Sequence, residues 1–164
     1  MVARQWLFAG ITFLHDLFTA FWVGGLLTLG LTVVPVSRKI LPTKKHALRL
    51  MDAIQARLRV FVYVSMGGLA ITGMLLSRRN PAYGAPFAFR GGASTLLSIK
   101  HLLMLAMVVV ALVRSLWKGD EDQSRRERVQ KIKMILLYVN MLLGIAVLAV
   151  TALGVAATGG APGA

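Results

Sequence analysis

The chain has 164 residues, 57% of them hydrophobic, and a mean hydropathy of +0.70, a balance that excludes an ordinary soluble domain and places residues 1–164 in the membrane class as a single transmembrane domain. Its formal net charge of +13, from 19 Lys and Arg against 6 Asp and Glu, would suggest nucleic acid in a soluble protein. Here the basic residues gather between apolar runs, which points to anionic lipid head groups and membrane topology, with no nucleic-acid partner. With no cysteine, disulfides, iron–sulfur clusters, thiolate metal sites and c-type haem attachment are excluded.

A spanning helix needs about 20 mostly apolar residues. Four stretches qualify, roughly 7–34, 58–77, 95–117 and 134–158. The expected fold is all-α: an integral membrane four-helix bundle, antiparallel up-down-up-down, with both termini external.

The first stretch is too long for a signal-peptide core, and Pro35, Arg38 and Lys39 follow it in place of a small-residue cleavage site, so it reads as a mature helix. It carries two ionisable residues at membrane depth, His15 and Asp16. Trp6 suits an interface near its start, and Trp22 falls about two turns below His15, where it packs either on a cofactor or in the core. The connection 37–59 holds Arg38, Lys39, Lys44, Lys45, Arg49, Arg57 and Arg59, with His46 as a solvated residue.

On the second helix Gly67, Gly68, Thr72 and Gly73 precede Arg78. Glycine there lets a ring approach the backbone, although small-residue stripes in membrane helices usually mean close helix packing. The connection Asn80-Pro-Ala-Tyr-Gly-Ala-Pro-Phe-Ala-Phe-Arg-Gly-Gly is rich in Gly, Pro and aromatics and reads as an ordered interfacial flap.

The third helix brings Lys100 and His101, and Trp117 near its end suits an interface. Around the next connection come Arg114, Lys118, Arg125, Arg126, Arg128, Lys131 and Lys133. The positive-inside rule makes this region and 37–59 cytoplasmic, in a multi-pass protein of the cell inner (plasma) membrane. On the fourth helix Asn140, Gly144, Leu148 and Thr151 recur at helical spacing as a stripe that lines packing or a cavity. The tail 158–164 reads as frayed.

Ionisable groups at membrane depth are costly and are the first candidates for function. His15 lies about eight residues below the start of the first helix and His101 about six below the start of the third, so both sit roughly 10 Å into the outer half. Such a facing pair can ligate a planar cofactor from both sides, and b-type haem is the usual occupant of a bis-imidazole site. The expected metal ligands are therefore His15 and His101. Around them, Trp22, Gly68, Thr72, Gly73, Lys100 and Arg78 are expected to contact the cofactor, with Arg78, Arg79, Arg90 or Lys100 pairing with propionates. The plainer readings are a hydrogen-bonding role for each His between helices and an Asp16–Lys100 salt bridge. The 8 Met residues are scattered, which suits gap-filling better than Met-only copper ligation.

The run Leu14-His-Asp-Leu-Phe-Thr-Ala-Phe-Trp-Val-Gly-Gly-Leu-Leu, continuing to Val34-Pro35 and Arg38, resembles the first helix of the CopD-like copper-resistance membrane domain. Gly68-Leu-Ala-Ile-Thr-Gly73 looks like that family's second helix, and Ile99-Lys100 followed by a long apolar run and Arg114 looks like its third. The resemblance covers most of residues 14–114 and extends to the HemJ-type protoporphyrinogen oxidases. That group implies a His on the first helix, here His15, a Lys on the third, here Lys100, and b-type haem in the membrane. This chain lacks the further His that follows the Gly-rich stretch there.

These readings converge on a cytochrome b-like protein that holds one haem between His15 and His101 and exchanges electrons with a quinone or an external redox protein. The alternatives are a CopD-type copper transport or resistance protein using His15, His101, Met74 or Met104, and a HemJ-like membrane oxidoreductase in which Lys100 or Asp16 handles protons. A subunit whose polar residues only join helices, and a homo-oligomer, are also compatible with the sequence.

Overall fold

The computed structural model describes residues 2–41, 43–77, 92–116 and 123–157. All the regular structure among them is helical: α1 (Val2–Leu27), a π-helical turn (Thr28–Val33), α2 (Val34–Ile40), α3 (Lys44–Ser77), α4 (Gly92–Leu116) and α5 (Gln123–Ala157). Four rods are long and apolar enough to cross a membrane, namely Val2–Ile40, His46–Ser77, Ser94–Leu116 and Arg128–Ala156.

The helices outrun the apolar stretches. α3 starts at Lys44 and α5 at Gln123, so most of the region read as the connection 37–59 is helix, and only the segment around Leu41 and Thr43 interrupts it. Hydropathy finds the part of a helix that lies in hydrocarbon. The flanking Lys44–Arg59 and Gln123–Lys133 segments are rich in Ala, Leu, Arg, Lys and Gln, which lose little side-chain freedom in a helix, and they extend it past that part. Thr43 starts α3: its carbonyl accepts from the His46 and Ala47 amides at 3.1 and 3.2 Å, and its hydroxyl lies 3.4 Å from the His46 amide. His46 is exposed, as a solvated residue should be, yet it sits in that first helical turn with its Nδ1 on the Thr43 hydroxyl.

The first rod also continues past residue 34, through Pro35 to Ile40. Proline has no amide hydrogen and crowds the preceding turn. The wider π turn immediately before it absorbs this, with the Val34 amide donating to the Leu29 carbonyl. The rod ends at Leu41, where the backbone turns extended (φ −81°, ψ 133°).

The chain divides into two compact units, Met1–Leu76 and Ser77–Ala164. In the first, α1 meets α3 at three successive places: His15 with Thr72, Phe18 with Gly68, and Phe21 with Phe61, whose ring centroids are 6.4 Å apart. Residue numbers on α3 fall as those on α1 rise. Trp22, Leu26 and Leu29 on one rod and Ser65, Leu69 and Thr72 on the other are buried, each set repeating at the three-to-four-residue spacing of one helix face. Phe13, Leu31, Val60, Val64 and Ile71 are exposed, as on helices that turn an apolar flank to lipid.

In the second unit α4 and α5 pack on each other. The buried face of α5 is Leu137, Asn140, Met141, Gly144 and Val147. Asn140 and Gly144 therefore belong to the stripe read from the sequence, but Leu148 does not: it is exposed. Steps of four residues drift about 40° around a helix each time, so a stripe must alternate threes and fours to stay on one face. Thr151 is half-buried, and its hydroxyl donates to the Val147 carbonyl at 2.8 Å.

Candidate functional site

His15 is half-buried on α1, and its Nδ1 lies 2.9 Å from the Thr72 hydroxyl oxygen on α3. That hydroxyl donates to the Gly68 carbonyl, one turn back on its own helix, at 2.6 Å. Gly73 flanks the imidazole. A Cβ placed there would be 3.7 Å from His15 Cε1, an ordinary contact. Thr19, one turn along α1, donates its hydroxyl to the His15 carbonyl at 2.9 Å.

Gly68 does admit a ring against the backbone, and in this unit the ring is that of Phe18: a Cβ at position 68 would run into it. The Cβ position of Gly67 looks into open space. Trp22 lies two turns beyond His15 on α1, is only 2% exposed, and its Nε1 has no hydrogen-bond partner among the described residues. Asp16 is exposed, unlike its half-buried neighbour His15.

His101, half-buried in the second unit, has its Nδ1 2.7 Å from the Leu97 carbonyl oxygen. A carbonyl can only accept, so Nδ1 carries the hydrogen, which in the neutral ring leaves the lone pair on Nε2. Ser98, buried, closes on the Ser94 carbonyl at 2.9 Å. Lys100 is half-buried. Asn140 is 1% exposed, and its Oδ1 has no hydrogen-bond partner among the described residues.

The structure thus brings His15, Gly68, Thr72 and Gly73 together within the first unit and leaves Lys100 and His101 side by side in the second. Arg78, Arg79, Arg90, Trp117 and the flap 80–92 up to Gly91 lie outside the described residues. Of the sulfur atoms considered for copper, that of Met74 belongs to an exposed side chain and that of Met104 to a half-buried one. Among the described residues no three His, Asp or Glu side chains cluster as a cage for a metal ion. The residue that sequence reasoning passes over is Phe18. Its only signal is its place one turn after His15, which points it the same way around α1.

Among the described residues, fold and side chains together define four bilayer-length apolar helices, no other regular structure than helix, and a histidine held by its Nδ1 in each of two units. No protein-family model matches the chain, and neither a curated protein nor a solved structure matches it.

Proposed function

We propose that the protein is a membrane b-type haem protein engaged in electron transfer, in which His15 and His101 would hold one haem. The observation that supports this best is the way the two imidazoles are held: each has its Nδ1 on an oxygen atom of its own unit, Thr72 Oγ1 at 2.9 Å and the Leu97 carbonyl at 2.7 Å. Metal-ligating histidines are oriented in this manner, by a hydrogen bond from the nitrogen that does not bind the metal. The resemblance of the His15, Gly68–Gly73 and Lys100 segments to CopD-like and HemJ-type membrane domains supports the same reading.

The donor set fits the group. Two neutral imidazoles would hold a b haem, which would supply reversible one-electron exchange. The chain's own residues have separate tasks. His15 and His101 bind, Thr72 and the Leu97 carbonyl orient them, and Gly73 leaves room beside the first imidazole. Lys100 and Arg78 would supply positive charge for propionates.

In the same reading the four apolar helices run up-down-up-down through the cell inner membrane. The basic segments carrying Arg38, Lys39, Arg49, Arg57 and Arg59, and Arg114, Arg128 and Lys131, then face the cytoplasm, and both termini face outside. The opposed numbering of the α1–α3 contacts is what such a hairpin requires. The electron partner is a membrane quinone or an external redox protein.

Oxidised and dithionite-reduced absorption spectra of the detergent-purified protein, with total metal analysis and with His15→Ala and His101→Ala beside it, test the proposal. Sharp reduced bands that weaken or vanish in both variants are the expected result. A colourless protein from haem-replete cells overturns it, and copper in that same preparation would favour copper handling.

A further inference from the structure

A threonine hydroxyl has one hydrogen to give. In Thr72 that hydrogen is committed to the Gly68 carbonyl, 2.6 Å away on the same helix. The same oxygen lies 2.9 Å from His15 Nδ1, and two groups cannot share a hydrogen bond when neither has a hydrogen for it. Nδ1 must therefore be the donor, which leaves the lone pair of the neutral ring on Nε2.

The arrangement is anchored from both sides. Thr72 is buried, so water does not easily replace either hydrogen bond. One turn away on both helices, Phe18 lies against Gly68, the residue whose carbonyl takes the threonine hydrogen. The register of α1 on α3 that seats Phe18 thus also sets Thr72 opposite His15. The chain reaches the same tautomer at His101 by another route, through the Leu97 carbonyl. A backbone carbonyl cannot be removed by changing a side chain, whereas the Thr72 hydroxyl can.

We infer that Thr72 is a positioning residue: by accepting from Nδ1 while donating to Gly68, it locks His15 in the tautomer that presents an Nε2 lone pair. An Nε2 bearing the lone pair takes a hydrogen-bond donor or a metal centre and cannot donate to a carboxylate or a carbonyl; in the haem reading it takes the metal centre. The inference rests on the haem reading only in naming that centre; the tautomer itself is a property of the chain.

Nitrogen NMR of the detergent-purified protein, with its histidines labelled and dithionite present, tests it. His15 is assigned as the signal missing from His15→Gln. In the wild type, His15 should show a protonated Nδ1 whose hydrogen exchanges slowly with solvent. Thr72→Ser, which keeps the hydroxyl, should preserve that hydrogen. Thr72→Val, which keeps the shape and removes the hydroxyl, should speed its exchange at least about fivefold.

A wild-type His15 protonated on Nε2 overturns the inference, and so does a Thr72→Val protein with the wild-type Nδ1 signal and exchange rate. If Thr72→Val does not fold, the wild-type tautomer and the Thr72→Ser exchange rate still decide the matter. Absence of haem from the wild type would sink the proposed function and leave the tautomer readable. Haem in the wild type with an unaltered Thr72→Val signal would sink the inference alone.

Discussion

The ring of Phe18 lies directly on the backbone of Gly68, with no room for even a methyl group between them, and this contact sits one helical turn from the His15–Thr72 hydrogen bond. Gly68→Ala must therefore displace Phe18 or push α1 away from α3. Overpacking of this kind costs about 1–3 kcal/mol, read as a lower thermal midpoint in detergent. Phe18→Leu combined with Gly68→Ala should cost clearly less than the sum of the two single changes, because the smaller side chain vacates the space the methyl needs. Strict additivity would show that the two residues do not meet. Gly67→Ala, where nothing lies near the added carbon, is the control and should match wild type or gain up to about 1 kcal/mol from the helix preference of alanine.

Much of the chain is legible in the amino-acid sequence alone. Four apolar stretches are visible to hydropathy because each must satisfy the bilayer along its whole length. The histidines stand out because ionisable residues are rare in such stretches. The helix ends are not legible in the same way: residues 44–57 and 123–133 are polar, and a connection and a water-exposed helix share that composition. Thr72 can be marked as a neighbour of the glycines, but its tie to His15 depends on how α1 and α3 align, which no local pattern encodes. Phe18 is hidden for a different reason. One phenylalanine in an apolar helix looks like any other until the glycine opposite it is known.

Thr43 shows how the polar extension of α3 is held. Its hydroxyl and carbonyl both serve the first turn, whose third residue is His46 where an acidic residue would often stand. Thr43→Ala should lower stability by about 1 kcal/mol through loss of the cap. Thr43→Asp should restore it, since a carboxylate both caps and complements the positive end of the helix dipole. Thermal unfolding of the two variants in the same detergent checks the order; an alanine variant as stable as wild type would show that the extension does not need its cap.

Asn140 raises the opposite question, because a side chain at 1% exposure with an unpartnered Oδ1 among the described residues is a cost to the α4–α5 unit. Valine is closer to asparagine in volume than leucine is, and it has no polar atom to satisfy. Asn140→Val should therefore stabilise the protein by about 1–3 kcal/mol. A matching loss in the variant would instead mean that the amide has a partner, a bound water included, that compensates its burial.

The absence of cysteine makes the arrangement across the membrane directly measurable, since a single introduced thiol is the only one a maleimide can find. Val2→Cys and Ala156→Cys sit at the two exposed helix ends nearest the termini, and Thr43→Cys and Arg128→Cys sit beside the basic segments, all on exposed side chains. If the lysines and arginines hold their helix ends in the cytoplasm, a membrane-impermeant maleimide applied from outside should label the first pair in intact cells and the second pair only after the membrane is opened. The reverse pattern would turn the whole chain over and place the histidines in the inner half of the bilayer. Labelling of Val2→Cys without Ala156→Cys would be a different failure, because an odd number of crossings would mean that one of the four apolar helices lies in the interface or within a partner and does not span.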